Sequence, residues 1–350
     1  MNVNNFTPPN RENYAALDGL RAYAAVGIVL MHVYYNLGVY GDGNVFTNAL
    51  MPWLSDLTLL FMVVSAFSMC CGYYERIKTG AITPSAFYSK RYQRVWPFFA
   101  MMVAIDFVME PSVSTFYQSF ANLSMCFNLL KNPEIEVIGV GWFLGIVFTF
   151  YLLFPFFTFL LDSKKRAWKT FGLTLAFAYI AIQAFNGDNA GFNRSNIINV
   201  APFFVAGGLV YLYRAALKSM VEKWKYAVAL LCIVLNIAMF FVPSGELFVL
   251  AELVVFSAWL IYGIGSKDII LNNRIVKYLS GISMEIYLCH MMFFRVVEKV
   301  HLEIFIHQSE ILYAISFILT LAGAMIFSHV VKYLVLPRVL PKKKNKIKIL

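Results

Sequence analysis

The chain has 350 residues, of which 60% are hydrophobic and 14% charged, with a formal net charge of +10. Soluble domains carry about 25% charged residues, so this composition excludes an ordinary water-soluble globule. The positive balance does not mark a nucleic-acid binder, because the basic residues cluster between apolar runs, as topology signals in membrane proteins do.

A polar segment, 1–13, without the pattern of a cleaved leader, precedes the first apolar run. The runs then fall at roughly 18–37, 53–74, 95–110, 142–161, 170–186, 198–213, 226–242, 247–265, 279–297 and 311–336. Each approaches the about 20 residues that cross a hydrocarbon core. The expected fold is all-α: one polytopic membrane domain over 1–350 with about ten transmembrane helices and a basic tail, 337–350. A further stretch, 113–130, contains Ser112 to Asn128 polar groups at its edges and within it, among them Gln118 and Asn122, and is a weak span.

Charge decides how that stretch is read. If it does not span and the N-terminus is inside, the inner segments hold 24 of the 29 basic residues. Lys131, Arg194 and Lys299 then fall outside, and Arg21 and Arg295 within spans. If it does span, the cluster Lys164–Lys169 moves out and parity breaks. The positive-inside rule therefore predicts both termini in the cytoplasm and 113–130 as an outer-face or re-entrant piece. No internal repeat or matched pair of broken helices is visible, which weighs against common transporter architectures. The five cysteines, Cys70, Cys71, Cys126, Cys232 and Cys289, are odd in number and mostly lie in apolar runs, implying neither a disulfide framework nor a metal site.

Ionisable groups inside the spans are costly and mark candidate sites. The first span carries Asp18, Arg21 and His32. At about 100° per residue the 11 steps from Arg21 to His32 return to nearly one face, and Asp18 lies one turn before Arg21. His32 sits about 21 Å deeper than Asp18 at 1.5 Å per residue. The Asp18–Arg21 pair fits either a functional stripe or a helix-start ion pair with a snorkelling arginine. His32 on that same stripe points to function more than to interhelical bonding.

Lys90, Arg91 and Arg94 precede Trp96 and Pro97 at the third span. Arg91 and Arg94 share a helix side and make a fork for phosphate, or a plain positive-inside anchor. In the ninth span Tyr287 and His290 are one turn apart, while Glu285 and Arg295 point elsewhere. Glu252 is a buried acid with no obvious partner. The loop 38–52 and segment 110–141 are a candidate acceptor-side surface on which Asp42, Glu134 and Glu136 are solvated. His301, Glu303 and His307 read as loop residues rather than metal ligands.

These residues resemble a known family. Leu17-Asp18-Gly19-Leu20-Arg21-Ala22 followed by His32 resembles the first-helix signature of membrane acyltransferase family 3. Lys90-Arg91-Tyr92-Gln93-Arg94 with Pro97 resembles its arginine-x-x-arginine segment. Phe61 to Phe67 around Ser65, Trp142-Phe143-Leu144 with Tyr151 and Pro155, and Tyr287-Leu288-Cys289-His290 resemble later motifs, in family order along nearly the whole chain. Two positions depart from the pattern. Val147 and Phe148 stand where many members have a glutamate, and Leu59 stands where others have an aspartate that Asp56 is placed to replace.

The resemblance implies a bacterial inner-membrane O-acyltransferase. It implies an acyl-CoA donor, acetyl-CoA first, bound from the cytoplasm by Arg91, Arg94, Lys90 and Arg21, with no metal. It implies His32 as base, or as acyl carrier, with Asp18 and Arg21 in the catalytic stripe. Trp142, Tyr151, Tyr287 and His290 would bind substrate. The acceptor would be a hydroxyl of a cell-envelope glycan or lipid-linked saccharide, and a homo-oligomer remains open. No esterase-like domain follows the membrane core, so a second transfer step on this chain is not expected. The alternatives are a transporter or flippase using the same stripe as a pathway, and a structural membrane protein with polar interhelical glue.

Overall fold

The computed structural model describes residues 14–38, 50–125, 127–129, 139–185, 192–243 and 245–339. Asp42, Glu134, Glu136, Cys126 and the lysines beyond 339 lie outside these. Every regular element among the described residues is helical, as the lack of backbone partners in a bilayer requires.

Among the described residues six helices are long and apolar enough to cross a membrane. They are α1 (Ala16–Leu37), the run of α2 (Met51–Ser55), α3 (Leu57–Met69) and α4 (Glu75–Lys78), α7 (Gly141–Leu160), α9 (Ile197–Met239), α10 (Glu246–Gly265) and the run of α13 (Ser309–His329) through α14 (Leu336–Val339). The remaining expected spans also fold as helices: α5 (Pro84–Met109), α8 (Lys164–Phe185), and α11 (Arg274–Gly281) with α12 (Ser283–Glu298). Charge or length sets these apart. The basic residues of α5 and α8 interrupt their apolar runs, and α12 has only 16 residues. The doubtful stretch contains α6 (Val113–Leu123), 11 residues capped by Ser112. At 1.5 Å per residue α6 is too short to span.

The runs 198–213 and 226–242 fall on two helices that meet at a kink within α9, at Trp224, where φ is −118° and ψ 31°. The intervening sequence, Arg214 to Lys225, contains no glycine or proline. It is rich in Ala, Leu, Lys and Met, which continue a helix readily.

α1 is the axis of the site. It packs against α3, α10, α11, α12 and α13. Its small residues Ala16, Gly19, Ala22, Ala24, Ala25 and Gly27 are buried, which lets helices approach closely where no hydrophobic effect drives them together. The same device joins α3 to α9, where a Cβ on Gly207 would lie 2.2 Å from the Val63 carbonyl oxygen.

Two π-helical segments punctuate the bundle, Cys70–Tyr74 after α3 and Val330–Val335 after α13. Such segments rotate the following side chains out of α register and recur at functional sites. Here each presents a residue, Tyr73 and Lys332, to the same cavity.

Candidate active site

A cavity of about 490 Å³ opens among α1, α3, α5, α7, α11, α12 and the segment after α13. Asp18, Arg21, Arg91, Arg94, Tyr151 and Tyr287 line it, and so do Phe61 and Ser65 of the second-helix motif. Five cations, Arg21, Arg91, Arg94, Lys277 and Lys332, face two carboxylates, Asp18 and Glu285. The wall is therefore strongly electropositive over a small area.

The cations differ in how they are held. Arg21 donates to Ser68 Oγ at 2.5 Å and lies 3.6 Å from Asp18, which accepts from Ser280 Oγ at 2.9 Å. Arg91 donates to the Tyr73 hydroxyl at 2.5 Å and lies over the Tyr73 ring at 4.6 Å. Its guanidinium also sits 5.8 Å from the Tyr151 ring. Lys332 is 2.6 Å from Glu285. Among the described residues Arg94 and Lys277 have no hydrogen-bond or salt-bridge partner for their side chains. Two pinned arginines and two unsatisfied cations around one hollow make a receptor for a polyanion.

Beyond the cavity lies a histidine pair. Tyr287, on the wall, touches Phe143 at 5.2 Å and His290 at 6.0 Å between ring centroids. The His290 ring lies 5.1 Å from that of His32, tilted by 56°. His290 is fully buried. Its Nδ1 faces the carbonyl oxygens of Tyr287 at 2.8 Å and Ile286 at 3.3 Å, and its Nε2 has no partner. His32 does not line the cavity that Asp18 and Arg21 line. Tyr287 links the cavity to the histidine pair.

A second cluster was only partly legible. Arg194, expected as an outer-loop charge, donates to the Ser55 carbonyl at 2.7 Å and to Asp56 at 2.8 Å, and lies 5.8 Å from the Trp142 ring. Glu252, expected without an obvious partner, is buried, and its Oε1 makes no hydrogen bond. Asp56 is engaged with Arg194 and makes no hydrogen bond to His32. Among the described residues no carboxylate does.

Several expected residues stand elsewhere. Lys90 is exposed and outside the cavity wall, one position round the helix from Arg91. Trp142 sits with Arg194 rather than in the cavity. Arg295 is 3.7 Å from Asp106, and His301 is 2.8 Å from Glu303. The sequence missed Lys277, Lys332, Ser280 and Tyr73. Only the first two carried any signal, as basic residues of segments assigned to the inner side.

The sequence profile of the Acyltransferase domain family matches residues 14–329, which span every element named above from α1 to α13. This chain belongs to acyltransferase family 3. It is therefore a membrane acyltransferase. No curated protein and no solved structure matches this acyltransferase.

Proposed function

We propose that this acyltransferase moves an acyl group, acetyl first among candidates, from cytoplasmic acyl-CoA to a hydroxyl of an extracytoplasmic glycan or lipid-linked saccharide. It would reside in a bacterial inner membrane, with about ten spans and both termini cytoplasmic. The observation that carries the reading is the cationic cavity whose inner end abuts, through Tyr287, the His32–His290 pair. Independent support comes from charge bias. Arg91, Arg94, Lys277 and Lys332 all lie in segments that the positive-inside rule assigns to the cytoplasm, and they gather at one cavity. A donor rich in phosphate would meet them from that side.

In the proposed reaction Arg94 and Lys277 take the free phosphate positions, and Arg91 and Arg21 hold the approach. The pantetheine arm passes along the wall to Tyr287 and presents the thioester beyond it. His32 accepts the proton of the acceptor hydroxyl as its oxygen attacks the carbonyl carbon. The tetrahedral intermediate collapses, the carbon–sulfur bond breaks, and the thiolate takes the proton back from His32. The new ester leaves on the outer side.

Labelled acetyl-CoA tests this with the purified protein. Cleavage of the thioester by the wild type, binding without cleavage by His32→Ala, and label recovered in membrane saccharide are expected. Binding without cleavage by the wild type, for acetyl-CoA and for longer acyl-CoAs, would overturn the reading.

A further inference from the structure

The mechanism leaves His32 with one nitrogen to act and another to be accounted for. A histidine base works well only when its second nitrogen is fixed, because a freely exchanging tautomer puts the lone pair on the wrong side part of the time. In many enzymes a carboxylate does this. In this protein no carboxylate among the described residues bonds His32, and Asp56 is engaged with Arg194. The ring beside His32 is that of His290.

The protonation pattern of His290 follows from its contacts. Nδ1 faces two carbonyl oxygens, which only accept, so Nδ1 carries the hydrogen. Nε2 of the neutral ring is then an acceptor. It lies on the edge of the ring away from the α12 backbone, is buried, and has no partner. Burying an acceptor without a donor costs about 1–3 kcal/mol. The ring packs against that of His32, at 5.1 Å between centroids, where α12 meets α1.

We propose that His290 is the positioning residue for His32: its Nε2 accepts a hydrogen bond from the His32 ring N–H and leaves the other His32 nitrogen bare for the acceptor proton. The helix backbone fixes His290, and His290 fixes His32. A neutral imidazole supplies this acceptor without placing another charge in the bilayer core, where a carboxylate is costly. The arrangement also accounts for the one-turn spacing of Tyr287 and His290, since the Tyr287 carbonyl orients the histidine while its ring closes the cavity.

The catalytic part of this inference rests on the proposed acyltransfer, but the hydrogen bond itself can be tested without it. His290→Asn keeps a donor for the backbone carbonyls and loses the far acceptor. His290→Gln carries an acceptor further out and serves as the rescue. The full-length protein is labelled with ¹⁵N-histidine, and the His32 signals are assigned against His32→Asn. In the wild type His32 should show one neutral tautomer, in His290→Asn a mixture, and in His290→Gln the single form again. Acetyl-CoA cleavage should fall on the order of 10–100-fold in kcat in His290→Asn, with KM for acetyl-CoA unchanged, and return in His290→Gln. Identical His32 tautomer signals in the wild type and in folded His290→Asn would overturn the proposal, whether or not the enzyme turns over. Absent cleavage by the wild type with the tautomer shift intact would instead fault the acyltransfer reading alone.

Discussion

Arg94 offers the cleanest separation of binding from stability. It faces the cavity without a hydrogen-bond or salt-bridge partner among the described residues. Arg94→Ala therefore removes no hydrogen bond or ion pair and takes one charge from a wall of five cations, so the unfolding temperature should hold or rise slightly. A charge-assisted hydrogen bond contributes about 1.5–3 kcal/mol. Losing one to a donor phosphate should weaken acetyl-CoA binding about 10- to 150-fold, at 1.4 kcal/mol per decade. Arg91→Ala should differ in kind. It strips a bond to the Tyr73 hydroxyl and a contact over the Tyr73 ring, so it should lower both affinity and stability. The assay is acetyl-CoA titration of purified protein with thermal unfolding in parallel, and Arg166→Ala, an exposed cation of α8 outside the cavity wall, as the control for affinity. Unchanged affinity in a folded Arg94→Ala protein would refute the assignment of the cavity to the donor.

Other expectations follow from the same contacts. His32→Ala should bind acetyl-CoA normally while thioester cleavage falls by about 10²–10⁴-fold, the usual worth of a positioned base, read by stopped-time thiol release. Gly207→Val should be poorly tolerated, because even the Cβ would meet the Val63 carbonyl at 2.2 Å. Overpacking there should cost at least about 1–3 kcal/mol, measured as a lower unfolding temperature and yield. Arg194→Ala leaves Asp56 without its cation. Its cost should lie toward the lower end of about 3–5 kcal/mol, since a third of the Arg194 side chain is exposed. Arg194→Ala combined with Asp56→Asn should recover part of that loss in the same unfolding assay.

Much was settled by sequence because the bilayer imposes strong local rules. Apolar length marks helices, since in lipid each backbone group must be satisfied within its own segment. The three-residue spacings put Asp18 with Arg21, and Arg91 with Arg94, on faces that line one cavity, because the helical repeat is fixed. Where helices end was less legible. The basic stretch 214–225 looked like a loop by charge, but with no breaker the helix of α9 runs through it to Trp224.

Which stripes meet could be decided only by tertiary packing. Nothing in the first span announces His290 as the neighbour of His32, 258 positions away, and nothing near Asp56 announces Arg194. Such contacts depend on close approach through small residues and on crossing geometry, which no single helix encodes. The two π-helical segments bring Tyr73 and Lys332 to the cavity by adding a residue to one turn, a change of register that composition does not reveal. The sequence alone thus determined a polytopic helical acyltransferase and the chemistry its helices carry. The tertiary structure decided that the arginines form one cavity, that Tyr287 stands between it and the histidine pair, and that His290 is the ring beside His32.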